Sequence, residues 1–240
     1  MRSLARVRLA ACLAAAAWIV CAAPPAAAAD RPFLSVNTAV AEDDEEQVWA
    51  IENWVQRIGR VQSLTVAPEY AFDPFNSLQL EMRRVVRRES VSGHELELEY
   101  KHLFNNIERD GWGWGVVATV DLERPQAGPW ERRAVSLFAL VTLKLGEATS
   151  DGLLHINPAV IKPRGERRML AGAVGAEREV GRRTSLFGEI ARDDEGRSVQ
   201  LGLRHWIKRE RLAVDIAWQR VRNNEQRGAG VVLGIAWHDL

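Results

Sequence analysis

The sequence predicts an all-β chain: an antiparallel up-and-down transmembrane β-barrel of about 12 strands with short loops. Three observations carry this. Apolar and polar residues alternate in runs of about ten, the length a tilted strand needs to cross a bilayer. Each run breaks at a cluster of Gly, Pro, Asn or Asp, and a new run then begins. One face of each run is apolar and the other polar, as in a wall between lipid and an aqueous lumen.

The stretch HELELEYKHL, His94 to Leu103, settles strand against helix. Wound as a helix, it would place Leu98 among the acids, away from Leu96, Tyr100 and Leu103. Drawn as a strand, it puts Leu96, Leu98, Tyr100 and His102 on one face and Glu95, Glu97, Glu99 and Lys101 on the other. Only the strand accommodates every residue.

The elements follow in order. Residues 1–29 read as a secretory signal peptide: a basic head at Arg2, Arg6 and Arg8, an apolar run from Leu9 to Ala23, and a small-residue cleavage pattern at Ala27-Ala28-Ala29. Pro24 and Pro25 end that run short of the ~20 residues that a helical span needs. Residues 30–46 have no periodicity and end in the acidic run Glu42 to Glu46, which predicts a flexible acidic leader. The barrel domain is expected over 47–240. Its strands are Gln47–Arg57, Arg60–Phe72, Ser77–Arg88, His94–Leu103, Trp112–Glu123, Glu131–Leu145, Gly152–Lys162, Arg168–Val180, Thr184–Arg192, Ser198–Lys208, Arg211–Val221 and Gly228–Trp237.

The two cysteines, Cys12 and Cys21, both fall within the signal segment. A mature chain without cysteine cannot use a thiol nucleophile, an iron–sulfur cluster or a cysteine-based zinc site. Stability in an oxidising compartment then rests on packing or on a closed sheet. Loss of residues 1–29 removes three Arg and no acid, leaving 29 basic against 32 acidic residues, a charge of −3. That balance gives no basic excess for nucleic acid.

Alternation alone also fits a soluble periplasmic barrel with an apolar core. Strand number and length favour the membrane form, because a soluble barrel of that girth would have an overlarge interior to fill. Trp49, Tyr70, Trp112, Trp218 and Trp237 sit toward strand ends, where interfacial girdles belong. Gly113, Gly115, Ala171, Ala173, Gly202 and Gly234 are small residues on the lumen side, suited to a narrow interior. Pro68 and Pro158 oppose the scheme, since each removes a ladder hydrogen bond that lipid cannot replace; bulges, positions beyond the hydrocarbon band or misdrawn strands are expected there.

The chain ends GVVLGIAWHDL, with Val231, Leu233, Ile235 and Trp237 alternating onto one face. This resembles the C-terminal signal of bacterial outer-membrane barrels, which implies the barrel assembly machinery as a partner during biogenesis. His238-Asp239-Leu240 after the aromatic departs from the usual form. The segment LTVAPEYAFDPFNSLQLEM, Leu64 to Met82, resembles a hairpin of proteobacterial outer-membrane barrels associated with phenol-degradation operons and copper-resistance B-type proteins. The resemblance implies an outer-membrane location.

With the N-terminus in the periplasm, no loop is long, so selectivity is expected in the wall of a narrow channel or transporter for small solutes. Glu95, Glu97 and Glu99 need counter-charges, which Lys101, Arg83, Arg87 and Arg132 are placed to supply as a lumen ladder. A closed structural barrel filled by the same charges is the alternative reading. Arg84, Arg88, Arg164, Arg167 and Arg168 lie toward the outer leaflet, where contact with lipopolysaccharide phosphates is expected; solvated charges at strand ends are the plainer reading. An outer-membrane lipid-modifying enzyme with a Ser/His pair on the wall is a further alternative, but no enzyme is expected: His94, His102, His155, His205 and His238 have no spacing that ties them to Ser136, Ser185 or another nucleophile. No metal-ligand spacing and no cofactor motif appear.

Overall fold

A computed structural model describes residues 33–39, 47–87, 93–125, 128–147, 151–223, 227–238 and 240. The expected signal peptide and Arg88 lie outside them, as do residues 30–32 and 40–46 of the leader. Twelve strands form among the described residues. They are β1 Val48–Ile58, β2 Val61–Asp73, β3 Asn76–Arg87, β4 Gly93–Leu103, β5 Trp112–Pro125, β6 Glu131–Lys144, β7 Leu153–Pro163, β8 Met169–Gly181, β9 Thr184–Arg192, β10 Arg197–Lys208, β11 Leu212–Arg222 and β12 Arg227–Trp237.

Each strand pairs antiparallel with its sequence neighbours, and β1 pairs with β12 from Ile51↔Trp237 to Ile58↔Gly230, closing the barrel. Closure leaves no unpaired edge, a requirement for backbone surrounded by lipid. Leu240 donates its backbone N–H to Trp49 O at 3.1 Å, so both ends of the barrel meet at one rim.

The outer wall is apolar because alternation puts Leu, Ile and Val there. Leu137, Leu170, Ile190, Leu201, Ile216 and Leu233 are all more than half exposed to the surroundings. In water such a wall would be an aggregation surface; in a bilayer it is the seat of the fold. Val231, Leu233, Ile235 and Trp237 lie on it as the terminal pattern predicts. Trp49, Tyr70, Trp112 and Trp237 stand at the termini rim, while Trp218 and the exposed Trp130 stand toward the other. Trp49 packs on Tyr70 at 4.8 Å and Phe104 stacks on Trp114 at 4.0 Å between centroids.

The prolines are neither bulges nor errors of assignment. Pairing of β2 with β3 lapses between Val66↔Met82 and Glu69↔Gln79, and of β6 with β7 between Phe138↔Ala159 and Val141↔Ile156, and the register resumes unchanged. On the other side, Pro68 pairs with Ile51 and Pro158 with Gly172. Each strand thus gives up one neighbour locally and keeps the other.

A four-residue helix, α1 Ile107–Asp110, lies between β4 and β5. Asn106 Oδ1 accepts from the Glu108 N–H at 2.8 Å, and Gly111 ends the turn at φ 76°, where a residue without Cβ is favoured. Ile107 is buried against Leu153, and Lys144 Nζ bonds Glu108 Oε2 at 3.0 Å, so this connection is fastened to the base of β6 and β7. The Arg109 guanidinium hydrogen-bonded to Asp110 holds that carboxyl below its ordinary range.

Candidate functional site: the lumen and its N-terminal segment

The lumen near the termini rim is packed and ion-matched. Arg204 on β10 makes a paired contact with Asp215 on β11, Nε to Oδ1 at 2.8 Å and Nη2 to Oδ2 at 2.9 Å. It also reaches Glu52 Oε1 on β1 at 3.6 Å, past β11 and β12. Strand β12 lets it pass because Gly234 and Ala236 are small there; a Cβ on Gly234 would already touch Asp215 at 3.2 Å. Arg204 also lies over Trp206, 5.5 Å from the ring centroid. On the facing wall, Lys101 sits 3.6 Å from Glu69, whose Oε1 accepts from Ser77 Oγ at 2.6 Å. Charges this deep are retained only with partners.

Between these walls runs the segment Phe33–Ala39. The expectation of a flexible leader does not hold for these seven residues: Phe33, Val36 and Ala39 are buried inside the barrel. An extended segment carries unpaired backbone groups, and burial obliges the wall to satisfy them. Glu189 Oε2 on β9 accepts the N–H groups of Ser35 at 3.0 Å and Val36 at 3.1 Å. Asn157 Oδ1 on β7 accepts from Asn37 N–H at 2.6 Å, and Thr142 Oγ1 on β6 accepts from Ala39 N–H at 2.8 Å. Asn37 Nδ2 reaches Glu99 Oε2 at 3.3 Å. Apolar contacts finish the fit: Phe33 meets His155 edge-on at 5.1 Å and Phe187 at 5.8 Å.

Small residues make the room. A Cβ on Gly113 would overlap the Ala39 carbonyl, and one on Gly175 would press on Phe33 and Val36 at 3.1 Å. These glycines of β5 and β8 vacate a volume that the segment fills.

Beyond the segment, toward the other rim, the lumen opens. One cavity of about 290 Å³ lies against Phe33–Asn37 and is bounded by Glu52, Glu81, Glu97 and Glu99. A wider one of about 560 Å³ shares Glu81 and Glu97 and extends to Glu131, Arg164 and Glu195. Nine acidic residues line it, against the arginines Arg83, Arg133 and Arg164. The sequence-expected ladder is only partly one structure. Arg83 bridges Glu81 at 2.6 Å and Glu95 at 3.2 Å. Glu97 stands opposite Asp121 in register. Glu99 also accepts from Asn37 Nδ2 of the N-terminal segment, and Lys101 lies 3.6 Å from Glu69. Arg87 keeps the lumen-side phase of Arg83, near the rim. The contact assigned to Arg132 is made by Arg133, 3.8 Å from Glu95. A register shift between Asp121 and Leu122 sets Arg132 opposite Leu122, on the outward phase. A bulge exchanges the faces of consecutive residues, and strict alternation does not foresee it.

Sequence spacing linked no hydroxyl to a histidine, yet the fold brings Thr142, His155 and Glu177 into line. Thr142 Oγ1 lies 3.0 Å from His155 Nδ1, and His155 Nε2 lies 3.5 Å from Glu177 Oε1. The hydroxyl accepts the Ala39 N–H and the imidazole is fully buried, so the row orients the acceptor that holds the segment.

This architecture has counterparts among solved structures. The KdgM porin in complex with disordered oligogalacturonate superimposes with a TM-score of 0.55 at 11% identity, covering 78% of this chain and 98% of that one. An outer membrane channel from Pseudomonas putida F1 gives 0.54 at 12% identity, covering 88% and 99%. The NanC porin gives 0.55 at 5% identity, covering 80% and 98%. The fold is that of the outer-membrane β-barrels. No family model and no curated protein matches the chain.

Proposed function

We propose that this barrel is an outer-membrane channel for small solutes whose lumen is closed at rest by its own residues 33–39. The observation that carries the reading is the binding of that segment: four backbone N–H groups are accepted by three side chains from β6, β7 and β9. Each such bond contributes about 0.5–1.5 kcal/mol net, more where the acceptor is ionised. A segment held by a handful of these can leave without the barrel unfolding. The similar folds of two porins and a channel support the class of function.

The acid excess of the outer cavity favours cations, because side-chain charge at close quarters sets ion selectivity. Its sign also disfavours an anionic sugar of the kind named with the KdgM porin. The alternative, a closed structural barrel, draws support from the matched ion clusters near the termini rim.

Planar-bilayer recording separates the two. The channel reading expects low conductance for the full chain, a rise of about tenfold or more on deletion of residues 33–39, and a reversal potential of cation-selective sign in a salt gradient. Silence of the deletion variant, once it is shown to be folded by heat-modifiable migration, would leave the structural barrel as the reading.

A further inference from the structure

Four arginines stand in cross-strand register at the rim opposite the termini. Arg192 on β9 pairs with Arg197 on β10, Arg197 pairs with Arg222 on β11, and Arg222 pairs with Arg227 on β12. Strand phase turns all four outward, in step with Ile190, Leu201, Trp218 and Val231 on the apolar wall. All four are exposed, and none makes an ion pair among the described residues. Asp193 in the adjoining turn is engaged otherwise, its Oδ1 accepting the backbone N–H groups of Glu195 at 2.8 Å and Gly196 at 2.6 Å.

Like charges directly opposite one another destabilise a sheet, and here the penalty recurs at three successive strand junctions. Neighbouring strands lie about 4.8 Å apart, so the row spans roughly 14 Å. Guanidinium groups match phosphate oxygens with paired donors. We propose that this row binds the phosphate groups of an anionic glycolipid of the outer leaflet, with its acyl chains lying along the apolar wall below. One ligand then relieves the repulsion at several junctions and presents both halves of its chemistry to one face.

The arginines expected from sequence to make this contact are less well disposed. Arg84 pairs with Leu64 and His94, so it has no arginine beside it in the sheet. Arg164 is engaged by Glu131. The proposal does not depend on whether the lumen conducts.

The test uses full-length protein in phosphatidylethanolamine nanodiscs containing a diphosphorylated glycolipid, with retained glycolipid counted by native mass spectrometry. Wild type is expected to retain it, and to retain the same glycolipid stripped of phosphate about tenfold less. Arg197→Gln with Arg222→Gln is expected to lower retention of the phosphorylated form by a similar factor, whereas Arg167→Gln with Arg168→Gln leaves most of it. Equal retention of the two lipids by wild type, or undiminished retention by a folded Arg197→Gln/Arg222→Gln variant, overturns the proposal. Should that variant fail to fold, the two-lipid comparison on wild type decides alone.

Discussion

The half of the lumen near the termini and the half near the other rim are lined by the same twelve strands, yet one is sealed and the other hollow. In the sealed half, Arg204 on β10, Asp215 on β11 and Glu52 on β1 answer one another, as do Lys101 on β4 and Glu69 on β2 on the facing wall. In the hollow half, acids outnumber arginines and Glu97 faces Asp121. Matched charges can be packed out of water, whereas surplus like charges demand solvent or a mobile counter-ion. The boundary between the halves is the segment Phe33–Ala39, which uses uncharged acceptors and one carboxylate to complete its backbone.

The largest expected effect breaks the sealed half. Arg204→Ala strands the buried Glu52 and the partly buried Asp215 and is expected to cost about 3–5 kcal/mol, read as an earlier urea midpoint for loss of heat-modifiable migration. If Arg204→Ala unfolds no earlier than wild type, the ion cluster is not what holds that half together. Next comes the boundary. Glu189→Ala leaves the Ser35 and Val36 N–H groups without their acceptor, a loss of about 2 kcal/mol, raising the open fraction roughly thirtyfold in single-channel records. An unchanged open fraction would mean that Glu189 does not hold the segment. Thr142→Val removes one neutral acceptor, so about 1 kcal/mol and a fivefold rise are expected in the same assay. Smallest is the hollow half: Glu97→Gln is expected to leave stability within about 0.5 kcal/mol and to weaken cation preference, seen as a smaller reversal potential. A stability loss of several kcal/mol there would show that the outer cavity is sealed by matched charge as well.

Much of the wall was legible in sequence because period-two alternation is a one-dimensional signal. HELELEYKHL needed no partner to reveal its faces, and its glutamates do turn inward. The partners of those glutamates were not legible, since a bulge at Asp121/Leu122 moves the contact from Arg132 to Arg133 without a local mark. The N-terminal segment was missed for another reason. Phe33, Leu34 and Val36 form no period, so nothing in their own order predicts burial. The sign lay elsewhere, in Gly113 and Gly175 on lumen faces, whose missing side chains leave room that only another part of the chain can fill. Four arginines in a row were invisible because register, which aligns them, depends on turn lengths.

The placement of Phe33–Ala39 inside the barrel is the claim on which the closed-channel reading depends, and a disulfide tests it. Val36→Cys with Gly175→Cys puts one thiol on the segment and one on β8, where a Gly175 Cβ would lie 3.1 Å from Val36 Cγ2. Both native cysteines fall within residues 1–29, so once those are removed no other thiol competes. The expected result is a cross-linked chain that stays at low conductance and opens only after reductant is added. Free thiols at both positions in a folded barrel under oxidising conditions would contradict it.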